Sequence, residues 1–307
     1  MSVIVRQLTK LFGNQKAVDA ISFEANQGEI LGFLGPNGAG KSTTMRIAAC
    51  FLPPTMGEVE VAGFQVSETP LEVRKRVGYL PENNPLYYDM YVKEYLSFIA
   101  SLHQIKGRTN REKVNHMIDL TGLTQEQNKK IGQLSKGYRQ RVGLAQSMIH
   151  DPEVLILDEP TSGLDPNQII EIRDLIHQLS KNKTVIFSTH IMQEVQALCD
   201  RVVIIDHGRI VADDLVENLQ NEKSDQQIII AEFEIPPDIS LFNSIKGIHH
   251  IDINGPSLII FADRDKDIRS AIFKVASHHN LSLVGLKKEE QSLERIFQNL
   301  TQKRSKK

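Results

Sequence analysis

Gly35-Pro36-Asn37-Gly38-Ala39-Gly40-Lys41-Ser42-Thr43 follows directly on the apolar run Glu29-Ile30-Leu31-Gly32-Phe33-Leu34. An apolar strand that ends in glycines and continues at a lysine has the spacing G-x-x-x-x-G-K-[ST], the phosphate loop between a strand and a helix. Its glycines let successive N–H groups point inward at phosphate oxygens. A helix opening at Lys41 adds the positive end of its dipole. In such a loop Lys41 reaches the β- and γ-phosphates of a nucleotide, and Ser42 offers its hydroxyl to Mg²⁺. The helix is expected to run to about Phe51 and to stop before Pro53-Pro54.

Working outward, Val154-Leu155-Ile156-Leu157-Asp158-Glu159 supplies the second half of a nucleotide site. Four apolar residues make a buried parallel strand, and the two acids emerge at its carboxyl end, where open α/β sheets bind ligands. Asp158 is placed to hold Mg²⁺, directly or through water, and Glu159 to orient or deprotonate an attacking water. Leu134-Ser135-Lys136-Gly137-Tyr138-Arg139-Gln140-Arg141 reads as a helix start capped by Ser135, with Gly137 leaving backbone accessible at its positive end. Ser162-Gly163-Leu164-Asp165 follows Glu159 closely, and His190 ends the next strand after Phe187-Ser188-Thr189.

The remaining pattern places short strands at Val3–Val5 and Ile21–Phe23, joined by a loop from Lys10 to Gln15, and further strands at Val59–Ala62 and Val77–Leu80. Helical spacing over residues 88–150 marks an insertion. After it, strands alternate with helices (Pro166–Ser180 is one), as in a mostly parallel sheet covered by helices. Asn218 to Gln227 turns polar and mixed in charge, a linker. Beyond it come a strand from Ile228, a helix at Ile239–Ile245, strands at Ile248–Ile253 and Leu258–Ala262, a helix at Arg269–His279, a strand at Leu281–Leu286 and a helix at Ser292–Leu300. That order, β-α-β-β-α-β, is ferredoxin-like. The expected fold is α/β, a P-loop NTPase over residues 1–220, with a small α+β domain over 228–301.

Composition narrows the function. Lys and Arg total 36 against 38 Asp and Glu, a net charge of −2, which excludes a globally basic nucleic-acid binder. Two cysteines, Cys50 and Cys199, cannot form a disulfide framework and suit a reducing compartment. No run of 18 apolar residues occurs, and Met1–Lys10 lacks a signal-peptide layout, so a cytoplasmic protein is expected, with any membrane work done through a partner. His249-His250 and His278-His279 lack metal-site spacing, and the basic end Lys303–Lys307 reads as solvated chain. Tyr87, Tyr88, Tyr91, Tyr95 and Phe98 are either core or a groove for a partner helix.

Phosphate loop, Ser135–Gly137 segment, Asp-Glu strand, S-G-L-D and His190, in that order, resemble the ATP-binding subunit of an ABC transporter from about Val3 to Leu219. The resemblance implies a head-to-tail homodimer, with ATP held between the phosphate loop of one copy and Ser135 and Gly137 of the other. It further implies Glu159 as the catalytic carboxylate, His190 at the γ-phosphate, Asp165 in communication across the dimer, and Phe12 stacked on adenine. Mg²⁺ and a membrane-spanning permease are the implied cofactor and partner, no nucleic acid is expected, and the chain would sit peripherally on the inner face of the cell membrane. Two departures stand out. The signature reads Leu134-Ser135-Lys136-Gly137-Tyr138 in place of L-S-G-G-Q, and Glu82 stands where a glutamine is usual, which keeps an acceptor for Mg²⁺ but loses the amide donor. Pro81-Glu82-Asn83-Asn84-Pro85-Leu86-Tyr87 is similar to the single-domain exporter branch, most of all to gliding-motility subunits. A soluble ABC ATPase acting on nucleic acid or ribosomes is the alternative, which one phosphate loop and the lack of basic bias disfavour. A P-loop kinase or GTPase would need neither the Ser135–Gly137 nor the Ser162–Asp165 segment.

Overall fold

The computed structural model describes residues 2–180, 182–221, 226–263 and 266–289. The chain divides into two compact units on either side of the Val216–Glu217 bond, just before the expected end at residue 220.

In the first unit, strands β1 (Val3–Phe12) and β2 (Gln15–Ala25) form a hairpin. β3 (Ile30–Leu34) enters the phosphate loop and α1 (Lys41–Ala48) leaves it. β4 (Met56–Val61), the two-residue β5 (Phe64–Gln65), α2 (Pro70–Arg76) and β6 (Val77–Leu80) follow. The helical segment holds α3 (Val92–Leu102), α4 (Gly107–Leu120) and α5 (Lys136–Met148). The chain then runs through β7 (Val154–Asp158), α6 (Pro166–Ser180), β8 (Thr184–Thr189) and α7 (Met192–Leu198). It continues through β9 (Arg201–Asp206) and β10 (Arg209–Leu215), and α8 (Val216–Asn221) begins at the boundary between the units.

Two sheets form. One has the order β2-β1-β4-β5 and is antiparallel; the other has the order β10-β9-β3-β8-β7-β6. In the second, β9, β3, β8, β7 and β6 are parallel, and only β10 runs against its neighbour. β3, β7 and β8 are buried along their whole length, which accounts for their continuous apolar runs. Phe23 of one sheet and Phe33 of the other meet at a ring separation of 5.2 Å in the shared core.

The N-terminal hairpin corrects the expected short strands and loop. β1 and β2 pair from Val3↔Ala25 to Phe12↔Gln15, with register shifts along the way. Gln7 and Ala20 take φ of 48° and 51°, so the period-2 alternation resets and hides the strand in the sequence. The helix after the phosphate loop also ends earlier than expected, at Ala48. Cys50 has φ 59°, and Phe51 N donates to Arg46 O (2.8 Å), a left-handed stop that precedes the prolines. The expected linker begins as α8.

His150, just after α5, stacks on His103 at the end of α3, with centroids 3.9 Å apart and rings 4° from parallel. Burial, then the charge that His103 would carry, hold the His150 pKa down at about 4, against the bond that the ring gives to Val77 O; Lys113 and Lys183 add to the depression. A depressed histidine stabilises the fold fully above the unfolded value of about 6.5 and loses that contribution as pH falls toward 4. Wild-type stability should therefore drop by about 2 kcal/mol more than that of His150→Gln between pH 7 and 5. Urea unfolding of both proteins at the two pH values measures it; equal losses would contradict a neutral buried His150.

The second unit builds β11 (Gln226–Phe233), a 3₁₀ turn at Ile239–Phe242, β12 (Ile248–Asn254), β13 (Ser257–Asp263), α9 (Arg269–His278) and β14 (Leu283–Glu289). Its sheet has the order β12-β13-β11-β14, and every neighbouring pair is antiparallel. Ile229, Ala231, Leu258, Ile260, Phe242 and Ile272 form a core within this unit. The helix expected at Ile239–Ile245 is instead a 3₁₀ turn, because Asp238 caps Ser240 N (2.9 Å) and the bonds that follow are of i→i+3 type, such as Ile245 N to Phe242 O (3.1 Å). His249 and His250 pair with Asp263 and Asp252, each at 2.7 Å. The helix expected at Ser292–Leu300 lies outside the described residues.

Candidate functional site

Parallel register assembles the site. Leu34 pairs with Thr189, and Asp158 with Ser188, so the carboxyl ends of β3, β7 and β8 lie side by side. The phosphate loop, the two acids and His190 leave the sheet there together, as a ligand site in an open parallel sheet requires.

Gly40 is constrained in the loop both by its backbone angle and by its neighbours. Its φ is 109°, and a Cβ there would lie 2.5 Å from Ala17 O, so no other residue fits without moving the hairpin. α1 begins directly after it with no side-chain cap and no acidic residue in its first turn. The first N–H groups of α1 are thus left to a ligand, and no acid within that turn competes for the positive end of the dipole. Gly208 N, from the turn between β9 and β10, donates to Ala39 O (2.9 Å), and Gly208 O accepts from Asp19 N (2.8 Å). Loop, hairpin and turn are one hydrogen-bonded frame.

Lys41 is buried, and its ammonium donates to Gly35 O (2.8 Å) and Pro36 O (3.3 Å) and lies 3.3 Å from Glu159 Oε1. His190 Nδ1 is 2.7 Å from the other oxygen, Oε2. The carboxylate of Glu159 is thus gripped from both sides; the residue itself has φ 50°, and its N–H donates to Ser188 Oγ (3.1 Å). Ser42 Oγ donates to Asp158 Oδ1 (3.0 Å), and Ser188 Oγ donates to the same oxygen (2.6 Å). Burial raises the Asp158 pKa, the two serine bonds lower it, and the charges of Glu159 and Glu82 raise it again. That balance suits a group which meets a cation in use. Burial, and after it the charge of Asp158, also push the Tyr79 phenol well above its usual range.

A cleft of about 480 Å³ opens over Lys41, Ser42 and Glu159; Asp158 and His190 stand beside it rather than in its lining. It is lined by Asn37, Gly38, Gly40, Lys41, Ser42, Thr43, Glu82 and Glu159, together with Gln15, Lys16, Ala17, His207 and Gly208. The donor set fits Mg·nucleotide: an amide-lined loop and an ammonium for phosphate, and hard oxygens of Ser42, Asp158 and Glu82 for Mg²⁺. Gly35 and Pro36 contribute carbonyls to Lys41, and Ala39 is buried behind the loop.

Other expected site residues lie outside the cleft lining. Phe12 is half exposed at the hairpin tip, paired in register with Gln15, which does line it. Ser135 caps α5 by accepting from Tyr138 N (3.3 Å), Gly137 is buried beside it, and Asp165 accepts from Gln168 N (3.0 Å) at the start of α6. Sequence reasoning missed Ser188, which holds both acids, and the lining residues Gln15, Lys16, Ala17, His207 and Gly208. Ser188 was visible only as the polar residue at a strand end beside Asp158, a neighbour relation that needs the strand order.

The ABC transporter family model matches residues 18–162. The uncharacterized ABC transporter ATP-binding protein YxlF of Bacillus subtilis (strain 168) is 33% identical over 294 residues, covering 95% of this chain and 97% of that protein. The linearmycin resistance ATP-binding protein LnrL of the same organism is 31% identical over 305 residues, 96% of each. The bacitracin transport ATP-binding protein BcrA of Bacillus licheniformis is 40% identical over 215 residues, 69% of each. Among solved structures, an ATP-binding subunit of an ABC transporter superposes with TM-score 0.66 at 25% identity, covering 72% of this chain and 93% of that one. With a strand-held phosphate loop, paired acids and a full-length likeness of this extent, the chain belongs to the ABC transporter ATP-binding proteins.

Proposed function

We propose that this ATP-binding subunit drives an exporter, with Lys41, Ser42, Asp158, Glu159 and His190 as its hydrolytic centre. The observation that carries the reading is the convergence of those five side chains at the ends of β3, β7 and β8. Mg²⁺, when bound, would supply charge neutralisation for the β- and γ-phosphates. Ser42 and Asp158 are placed to hold it, with Glu82 across the cleft. Glu159 takes a proton from water as the water oxygen bonds the γ-phosphorus; the β–γ bridge bond breaks and its electrons leave with ADP. His190 orients Glu159 through Nδ1 and turns its other nitrogen to the γ-phosphate. Phe12 stacks on the adenine.

Ser135 and Gly137 lie outside the cleft of their own chain, which supports a head-to-tail dimer in which they close the ATP site of a second copy and Asp165 faces that copy. The likeness to LnrL and BcrA supports export; Pro81–Tyr87 alone supports the narrower gliding-motility reading. Tyr87, Tyr88, Tyr91 and Phe98 are exposed together around the start of α3, whereas Tyr95 is core and its hydroxyl bonds Gln146 (2.5 Å). We read the exposed four as the seat for a membrane-spanning permease, which would hold the chain at the inner face of the membrane; no described helix is long and apolar enough to cross it. The test is Mg-dependent phosphate release by the purified chain. Turnover per chain should rise with protein concentration, whereas strict proportionality at all concentrations would count against the dimer.

We read the second unit as a ferredoxin-like contact module that meets its twin in the dimer; its antiparallel order β12-β13-β11-β14 supports the reading. A chain ending at Glu222 keeps every phosphate, metal and catalytic candidate. It should fold, bind Mg·ATP within about threefold of the full chain, and associate less well. Titration calorimetry and light scattering measure both properties. Loss of all nucleotide binding in a folded truncation would show that the site is shared between the units.

A further inference from the structure

Lys136 replaces a glycine of the usual signature, and its side chain lies on another glycine. A Cβ added at Gly163 would collide with Lys136 Nζ and would lie 3.3 Å from Cε and 3.7 Å from Cδ. Gly163 has φ 69°. It belongs to the turn that leaves Glu159, in which Ser162 N donates to Glu159 O (3.1 Å) and Leu164 N to Thr161 O (3.2 Å). The stem of a lysine can lie flat only where no side chain stands in the way, and this turn supplies that place.

The contact is the end of a longer strip. A Cβ at Gly137 would come within 2.8 Å of Gln168 Cδ, so the Gln168 amide packs against the bare backbone of α5. One turn further along both helices, Arg141 Nη2 donates to Glu171 Oε2 (2.5 Å). Residues 137 and 141 share a face of α5, and 168 and 171 share a face of α6. Lys136 extends the strip past the start of α6 onto the turn that carries Glu159.

We propose that Lys136 is a positioning residue for ATP hydrolysis, its side chain on Gly163 fixing the turn after Glu159 against the start of α5. A turn with one left-handed glycine has several accessible conformations, and a side chain seated across it removes most of them. The carboxylate of Glu159 inherits that order through the Ser162 bond. The proposal rests on the reading of Glu159 as the catalytic carboxylate.

Steady-state Mg·ATP hydrolysis by the full chain tests it in Lys136→Ala, Lys136→Arg, Gly163→Ala and the Lys136→Ala/Gly163→Ala double variant. Lys136→Ala should lower kcat about 5- to 10-fold with KM within about twofold, because alignment is lost and ATP contacts are not. Lys136→Arg, of similar reach, should stay within about twofold of wild type in kcat. Gly163→Ala should also lose turnover, and the double variant should be no slower than the slower single, since both break one contact. Should Gly163→Ala fail to fold, the alanine and arginine variants at 136 decide the matter, with thermal unfolding as the control for structure. Wild-type kcat in Lys136→Ala overturns the proposal, and so does a loss confined to KM or a multiplicative loss in the double variant. Glu159→Gln assayed alongside separates the two readings. Full turnover there removes the role of Glu159, whereas lost turnover there with unchanged kcat in Lys136→Ala removes only the positioning role.

Discussion

Glu159→Gln lowers kcat for ATP hydrolysis by about 10²- to 10⁴-fold, the range that a general base contributes, while Mg·ATP still binds. The change removes the proton acceptor and, with it, the negative charge that faces Lys41 and His190. Glutamine has the length of glutamate, and its amide oxygen can still accept from the Lys41 ammonium, which lies 3.3 Å from Oε1. The backbone at 159 keeps its bond to Ser188 Oγ, so β7 and β8 stay in register. Product formation is blocked after binding, and the ATP-bound dimer should accumulate. Phosphate release gives the rate, titration calorimetry the affinity, and gel filtration with ATP the dimer. Turnover near the parent rate would mean that water is activated elsewhere.

Lys41→Ala acts at the other end of the same ion pair and should weaken Mg·ATP binding by about 10- to 100-fold, since hydrogen bonds to charged groups contribute about 1.5–3 kcal/mol. It should also destabilise the chain without nucleotide. The buried carboxylate of Glu159 would keep His190 but lose its ammonium, and the carbonyls of Gly35 and Pro36 would lose their donor. An unmet buried polar group costs about 1–3 kcal/mol, so unfolding in urea should begin at a lower concentration. Calorimetry and urea titration report the two effects separately. Unchanged affinity with unchanged turnover would remove Lys41 from the phosphate site.

How much of this was legible in the sequence depended on range. The phosphate loop and the Asp158-Glu159 strand are local patterns, each readable within a dozen residues, and their elements stand within a few positions of where the periodicity put them. Pairings across the chain were not legible. Ser42 and Asp158 are 116 residues apart, and only the strand order puts them 3.0 Å from one another. Ser188 looked like an ordinary strand-end serine for the same reason. Lys136 was visible as an added charge, but its seat on Gly163 depends on how α5 lies along α6. In the first unit, backbone in the left-handed region misled the local rules: Gln7 and Ala20 broke the strand pattern of the hairpin, and Cys50 stopped α1 early.

Gly208 is buried in the turn between β9 and β10, next to the exposed His207. Its N–H is given to Ala39 O, and its carbonyl takes the N–H of Asp19. Deuterium uptake at Gly208 and Asp19 therefore requires the frame behind the phosphate loop to open, and the opening free energy it reports is that of the loop. Two amides remote in sequence from Lys41 become clocks for the loop's integrity, running at a common rate and slowing together whenever the loop is held shut.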